Sequence, residues 1–179
     1  MAELTISGDT HPILKDDYAS EWMGIEVVAL DDGHATIRMP LRQEMLNGFG
    51  MAHGGMIFAF GDTAFALACN PANPKPADEG SITVASGVDI NFLKPAFRGQ
   101  ILTAVANRRA STGRSGLYDI QIYAADPNTG APTAPAGTAP AGTPQAATAA
   151  TVPGELPTDI APGELVAEFR GRSRTISKK

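Results

Sequence analysis

One stretch limits what this chain can fold into more than any other: LNGFGMAHGGMIFAFGDTAFALACN, Leu46 to Asn70. From Gly54 to Pro74 the only charged side chain is Asp62. An ionised carboxylate in apolar surroundings is costly unless it is paired or put to use. Two local structures fit the run. In one, GMIFAF is a strand, GD a turn, and Asp62 the N-cap of a short helix TAFALACN, since Asp favours caps and Gly breaks elements. In the other, a single helix starts at the HGG and reaches about Asn70, which leaves Asp62 in mid-helix. The first makes Asp62 structural; the second leaves it free for chemistry. A helix apolar nearly all round has to be wrapped by other elements rather than laid on a surface.

The flanking sequence supplies the wrapping. DDYASEWMG, Asp16 to Gly24, has acidic residues at its start, apolar residues at helical spacing and a closing glycine, and so predicts a short helix. IEVVALDDGHATIRMPL predicts two strands about the DDG turn, with Ala35, Ile37 and Met39 alternating against His34, Thr36 and Arg38. After a Pro- and Asn-rich loop come three further period-2 segments. SGVDINFLKP alternates Val88, Ile90 and Phe92, GQILTAVANRRAS alternates Ile101, Thr103 and Val105, and SGLYDIQIYA is a third strand. LVAEFRGRSRTI, near the end, sets Glu168, Arg170, Arg172 and Arg174 on one strand face, either solvated or turned to an anion. One apolar helix covered by an antiparallel sheet is an α+β domain.

The 179 residues are more than such a domain needs. The excess lies in about residues 125–164, dominated by Ala, Pro, Gly and Thr, with tandem PAGTA and PAGTP units. So few large apolar groups predict a flexible insertion. The formal net charge of −5 argues against a nucleic-acid partner, because phosphate binding needs a basic surface. The single cysteine, Cys69, excludes an internal disulfide and a cysteine-based metal cluster and reads as a small buried hydrophobe. No apolar run reaches transmembrane length, and the first residues lack a basic region followed by an apolar core, so a cytoplasmic protein with no membrane partner is expected.

If the one-helix reading holds, its first turn carries unpaired N–H groups and a partial positive charge. Glycines there let a ligand approach the backbone closely. Such donors suit a carbonyl that becomes an oxyanion, and Asp62, short of solvent, would have a raised pKa suited to a base or nucleophile near neutral pH. Acyl transfer or hydrolysis is the chemistry this combination serves.

NGFGMAHGG followed by GDTAFALACN, with the Trp22 helix before and DINFLKPAFRGQILTAVA after, resembles the hot-dog-fold acyl-CoA thioesterases, most closely the phenylacetyl-CoA branch. The likeness spans about Asp16 to Ala124 and resumes from Leu165 to Ile176. It implies one hot-dog domain over residues 1–179, an antiparallel sheet wrapped around a central helix and interrupted only by the insertion. It implies hydrolysis of an acyl-CoA, with an aryl-acetyl group as the expected acyl part and no metal or redox cofactor. By the same resemblance Asn47 holds the thioester or the water, and His53 orients the substrate or the helix start. The Gly54 N–H, with Gly55 beside it, polarises the carbonyl. Asp62 activates water or attacks directly. Relatives place a Ser or Thr near the water, a position that falls at Ala85 or Ser86, which makes Ser86 a substrate-binding candidate.

The resembling family builds its sites across a dimer, and helix geometry asks for the same. Gly54 and Asp62 are 8 residues apart, or about 12 Å along one helix, too far to act on one carbonyl. A homodimer, alone or paired into a homotetramer, is expected, with Asn47, His53 and Gly54 of one copy facing Asp62 of the other. Met56, Phe58, Phe60 and Phe65 are candidates for an apolar acyl pocket, and Arg108, Arg109 and Arg114 for CoA phosphates or for plain solvated surface.

Overall fold

The computed structural model describes residues 7–76, 80–127 and 163–178. The long apolar run is one helix, α2 (Gly54–Cys69), so the reading with Asp62 as an N-cap is set aside. Helix α1 (Tyr18–Met23) comes first, capped by the Asp17 side chain at its start and ended by Gly24 in the left-handed region, φ 70°. Strands β1 (Glu26–Asp31) and β2 (His34–Pro40) form the expected hairpin. Beyond α2 come β3 (Ser81–Phe92), β4 (Ile101–Thr112), β5 (Ser115–Ala125) and β6 (Glu164–Ser177). They make a six-stranded antiparallel sheet in the order β1-β2-β4-β5-β6-β3, curled over α2. This is the expected α+β hot-dog architecture.

The sheet reaches the helix closely because small residues line the contact. Ala35, Ala104, Ala106 and Ala167 are fully buried on its inner face, and a side chain at Gly171 would collide with the Phe65 ring at 2.8 Å. Ile37, Met39, Leu102, Ile120, Ile122 and Phe169 fill the rest of the core. The strand-period reading of β4 is corrected here. Leu102, Ala104 and Ala106 face α2, while Thr103 and Val105 lie on the opposite face and are buried as well. When both faces are covered, alternation loses its contrast. Strand β3 starts five residues earlier than the SGVDINFLKP segment and carries a bulge between Ala85 and Gly87. Most of the Ala/Pro/Gly/Thr-rich insertion, residues 128–162, lies outside the described residues.

His11 ties the N-terminal segment to the end of α2. Its Nδ1 accepts the Ile13 N–H at 3.2 Å and its Nε2 stands 3.1 Å from the Asn70 carbonyl, so only the neutral tautomer with the proton on Nε2 satisfies both. Burial, with 1% of the residue exposed, lowers its pKa below 6.5. The unfolded chain therefore takes up this proton first as pH falls. The stabilisation is complete above about pH 6.5 and is lost as pH falls through the lowered value. Thermal melts should show this acid loss in the parent chain and a flatter profile in His11→Gln.

Candidate active site

The Asn47 to His53 loop is folded back tightly before α2. Asn47 N–H donates to Met51 O at 2.8 Å, His53 N–H donates to Met45 O at 2.8 Å, and Ala52 N–H donates to Ala96 O at 2.8 Å. The Asn47 side chain holds the turn, its Oδ1 accepting from the N–H groups of Phe49 (2.9 Å) and Met51 (3.3 Å). Its Nδ2 makes no hydrogen bond among the described residues. Asn-Gly is thus a turn, as its composition suggests, and the turn leaves half of the Asn47 amide available.

His53 is the N-cap of α2, and its Nδ1 accepts the Gly55 N–H at 3.0 Å. This engages the Gly55 donor, while the Gly54 N–H has no partner among the described residues. The helix start thus offers Gly54 as its open donor, within the positive end of the helix dipole. The Phe92 ring packs close over Gly54, where an added Cβ would meet it at 3.2 Å and push the ring aside. Phe92, Met51, Leu93, Pro95 and Ile57 line an apolar cavity of about 340 Å³ beside this donor. Sequence reasoning counts Phe92 only as one of an alternating set and misses this wall. Its signal is a large apolar residue just before LKP, next to a turn.

Asp62 lies two turns further on, half-buried on the side of α2 that its own sheet does not cover. That side runs through Met56, Ala59, Asp62, Thr63, Ala66 and Cys69, whereas Ile57, Phe60, Ala64, Phe65 and Leu67 point into the core. The Asp62 carboxylate has no hydrogen bond or cation among the described residues, and burial raises its pKa. Next to it Thr63 packs on α1, with its Oγ1 3.3 Å from Ser20 Oγ. Because a carboxyl with a raised pKa opposes folding when ionised, Asp62 costs stability as pH rises from the ordinary carboxylate value through the raised one. The same shift gives a kinetic expectation. If ionised Asp62 is the base, the acid limb of kcat/KM falls above the ordinary carboxylate range, and Asp62→Asn loses that limb. A pH–rate series on both chains checks it.

The other candidates separate. Ser86 sits in the β3 bulge, exposed, with its hydroxyl donating to the Arg172 carbonyl at 2.9 Å. Phe60 and Phe65 are core residues, which leaves Met56 and Phe58 half-buried as possible pocket residues. Arg108 holds Asp32 through two nitrogens, Arg109 and Arg170 share Asp119, Arg172 pairs with Asp89, and Arg114 donates to the Thr175 carbonyl. The Glu168 to Arg174 row does share one exposed face, and within the sheet Arg170 pairs with Asp119 and Arg172 with Asp89. Cys69 is half-buried and its thiol is pushed up to about 12 by burial, which makes it unreactive at neutral pH. Among the described residues there is no cluster of three metal-ligating side chains, and no helix is long and apolar enough to cross a membrane.

A hot-dog sheet around a helix whose first turn offers a free N–H, with an unpartnered carboxylate two turns on, defines an acyl-CoA thioesterase. Comparison with known proteins agrees. Residues 49–131 match the thioesterase superfamily. The chain is 39% identical over 114 residues to the acyl-coenzyme A thioesterase PaaI of Escherichia coli K12, an alignment covering 64% of this chain and 76% of that one. The solved structure of the E. coli PaaI protein from the phenylacetic acid degradation operon superposes with a TM-score of 0.67 at 29% identity, over 97% of this chain and 98% of the other. A PaaI structure from Thermus thermophilus, at 23% identity and TM-score 0.61, shares the fold over 88% of this chain and 98% of its own. The chain belongs to the thioesterase superfamily, as an acyl-CoA thioesterase of the PaaI type.

Proposed function

We propose that this thioesterase hydrolyses phenylacetyl-CoA or a closely related aryl-acetyl-CoA, at sites built between two copies of the chain. The observation that carries the reading is the pair of unpartnered groups on one helix, the Gly54 N–H and the Asp62 carboxylate. They are about 12 Å apart within a chain and can meet one thioester only across a two-fold axis. In the proposed site the thioester oxygen accepts from the Gly54 N–H and from Asn47 Nδ2 of one copy, and His53 keeps that helix start open. Asp62 of the other copy takes a proton from water. The resulting hydroxide adds to the thioester carbon, and negative charge moves onto the oxygen held by Gly54. Collapse of that intermediate breaks the C–S bond, and the CoA sulfur leaves with the proton that Asp62 took. The pairing requires at least a dimer, and sedimentation separates a dimer from a tetramer.

The aryl-acetyl preference draws on the resemblance to the PaaI type and on the apolar wall of Phe92, Met51 and Leu93 beside the donor. Thiol release from a panel of acyl-CoAs tests it. Phenylacetyl-CoA and its ring-substituted analogues should give kcat/KM at least about tenfold above straight chains of similar size, the scale of a methylene-sized mismatch in an apolar pocket. A preference for straight chains would overturn the aryl assignment, and no release from any acyl-CoA would overturn hydrolysis itself. Ser86 is kept as a substrate contact only if Ser86→Ala raises KM.

The insertion is proposed to take no part in this chemistry. The β5–β6 ladder closes at Ala124 opposite Glu164, which brings the ends of the segment together without it. Replacing residues 128–162 by a short Gly-Ser loop should leave kcat/KM within about twofold, since loop-closure entropy changes slowly with length. A large rise in KM would overturn this.

A further inference from the structure

Strand β3 is an edge strand, and one of its open rungs is already taken. The Val166 carbonyl of β6 accepts from Leu93 N–H at 2.9 Å, so even-numbered β6 residues turn their backbone groups toward β3. In an antiparallel ladder the β3 residues opposite odd-numbered β6 residues must then turn theirs outward. These are Thr83, Ala85, Val88, Ile90 and Phe92, with the bulge at Ser86 shifting the parity midway. At Thr83 both outward groups are occupied. Thr83 N–H donates to Asn70 Oδ1 at 3.0 Å, and Asn70 Nδ2 donates to the Thr83 carbonyl at 2.9 Å. The Asn70 carboxamide stands where the backbone of a neighbouring strand would run. It is itself held, with Nδ2 also donating to Ala66 O at 3.0 Å and the Asn70 carbonyl accepting from His11.

Asn70 also links this edge to the site. Asp62, Ala66 and Asn70 follow one another at four-residue spacing, so the uncovered side of α2 leads directly onto the open edge of β3. A second copy seated on that edge would lay its own α2 against this one.

We propose that Asn70 is a register stop for the pairing of two β3 strands. It rests on the two-copy reading above. With Thr83 blocked, the β3 of a second copy pairs antiparallel only along the rungs from Ala85 to Phe92. A partner strand that ends at its own Phe92 clears the Asn70 carboxamide only when the two-fold axis crosses β3 beyond Val88, at Asp89 or nearer Phe92, because an axis at Val88 sets that Phe92 opposite Thr83. Any register centred nearer the start of β3 would drive the partner's backbone into Asn70. Since register decides how one α2 lies against the other, Asn70 is a positioning residue for the Gly54 and Asp62 pairing.

Pulsed EPR distances between nitroxides test this in a Cys69→Ser chain carrying either Asn91→Cys or Val84→Cys, both exposed on β3. Strands rise about 3.3 Å per residue, so each residue away from the axis adds about 6.6 Å between equivalent positions. Because the bulge at Ser86 adds no rung, backbone separations along the strand of about 13 Å or less at residue 91 and of about 26 Å or more at residue 84 are expected. A shorter distance at 84 than at 91, in a chain that sediments as a dimer, overturns the register stop and leaves the two-copy reading intact. A chain that sediments as a monomer overturns both. Asn70→Ala, if it melts cooperatively, should spread the residue-91 distances over more than one register and lower kcat with little change in KM. An unchanged distance distribution in that variant overturns the proposal, and if the variant does not fold, the two distances in the Asn70 chain still decide it.

Discussion

Asp62→Asn is expected to fold and to lose about 10³-fold in kcat, within the range for removing a positioned general base. The amide keeps the size and shape of the carboxylate and cannot take a proton from water. No native contact stands in the way of the exchange, because Asp62 makes no hydrogen bond or ion pair among the described residues. Its half-buried charge opposes folding, as its raised pKa records. The variant should therefore melt at or above the parent temperature at neutral pH, and the gap should close in acid, where the parent carboxyl is protonated too. That combination separates chemistry from structure: a capping or packing role would lower both stability and activity. A variant that keeps kcat within tenfold of the parent removes Asp62 from the mechanism.

The isolation of Asp62 was legible in the sequence because charge is scarce from Gly54 to Pro74 and any reading had to account for it. The face it occupies was not. The uncovered side of α2 carries Met56, Ala59 and Ala66, as apolar as the core side with Ile57, Phe60 and Phe65, so no amphipathic pattern marks the helix phase. The succession of strands along the chain was readable from period-2 segments, but their order in the sheet was not, and parity failed wherever the backbone or the burial departs from the ideal. At β4 both faces are covered, and at Ser86 a bulge inserts a residue and reverses which side chains face α2. At the helix start, composition suggests two glycine donors. Which one is open depends on the side-chain rotamer of His53, which caps the second. Asn70 looks from sequence like an ordinary helix-ending residue, and its grip on Thr83 crosses thirteen residues of chain that no local pattern encodes.

Two inactive chains, Asp62→Asn and Asn47→Asp, should recover activity when unfolded together and refolded as a mixture. Asn47→Asp is the informative partner because it retains the Oδ1 that accepts both the Phe49 and Met51 N–H groups, and so preserves the turn, while removing the free Nδ2 donor. In a mixed dimer one site combines Asn47 and Gly54 of the Asp62→Asn chain with Asp62 of the other and is intact. The second site carries both defects. Random assortment makes half of the dimers mixed, each with one working site of two, so the mixture should reach about a quarter of the parent rate per chain. If each site lay within a single chain, every site in the mixture would carry one defect or the other, and no recovery could occur. Native mass spectrometry of differently tagged chains establishes that mixed dimers are present. Mixed dimers at the expected fraction without activity would remove the shared site, and would send the search for the group facing Gly54 back to this chain's own residues.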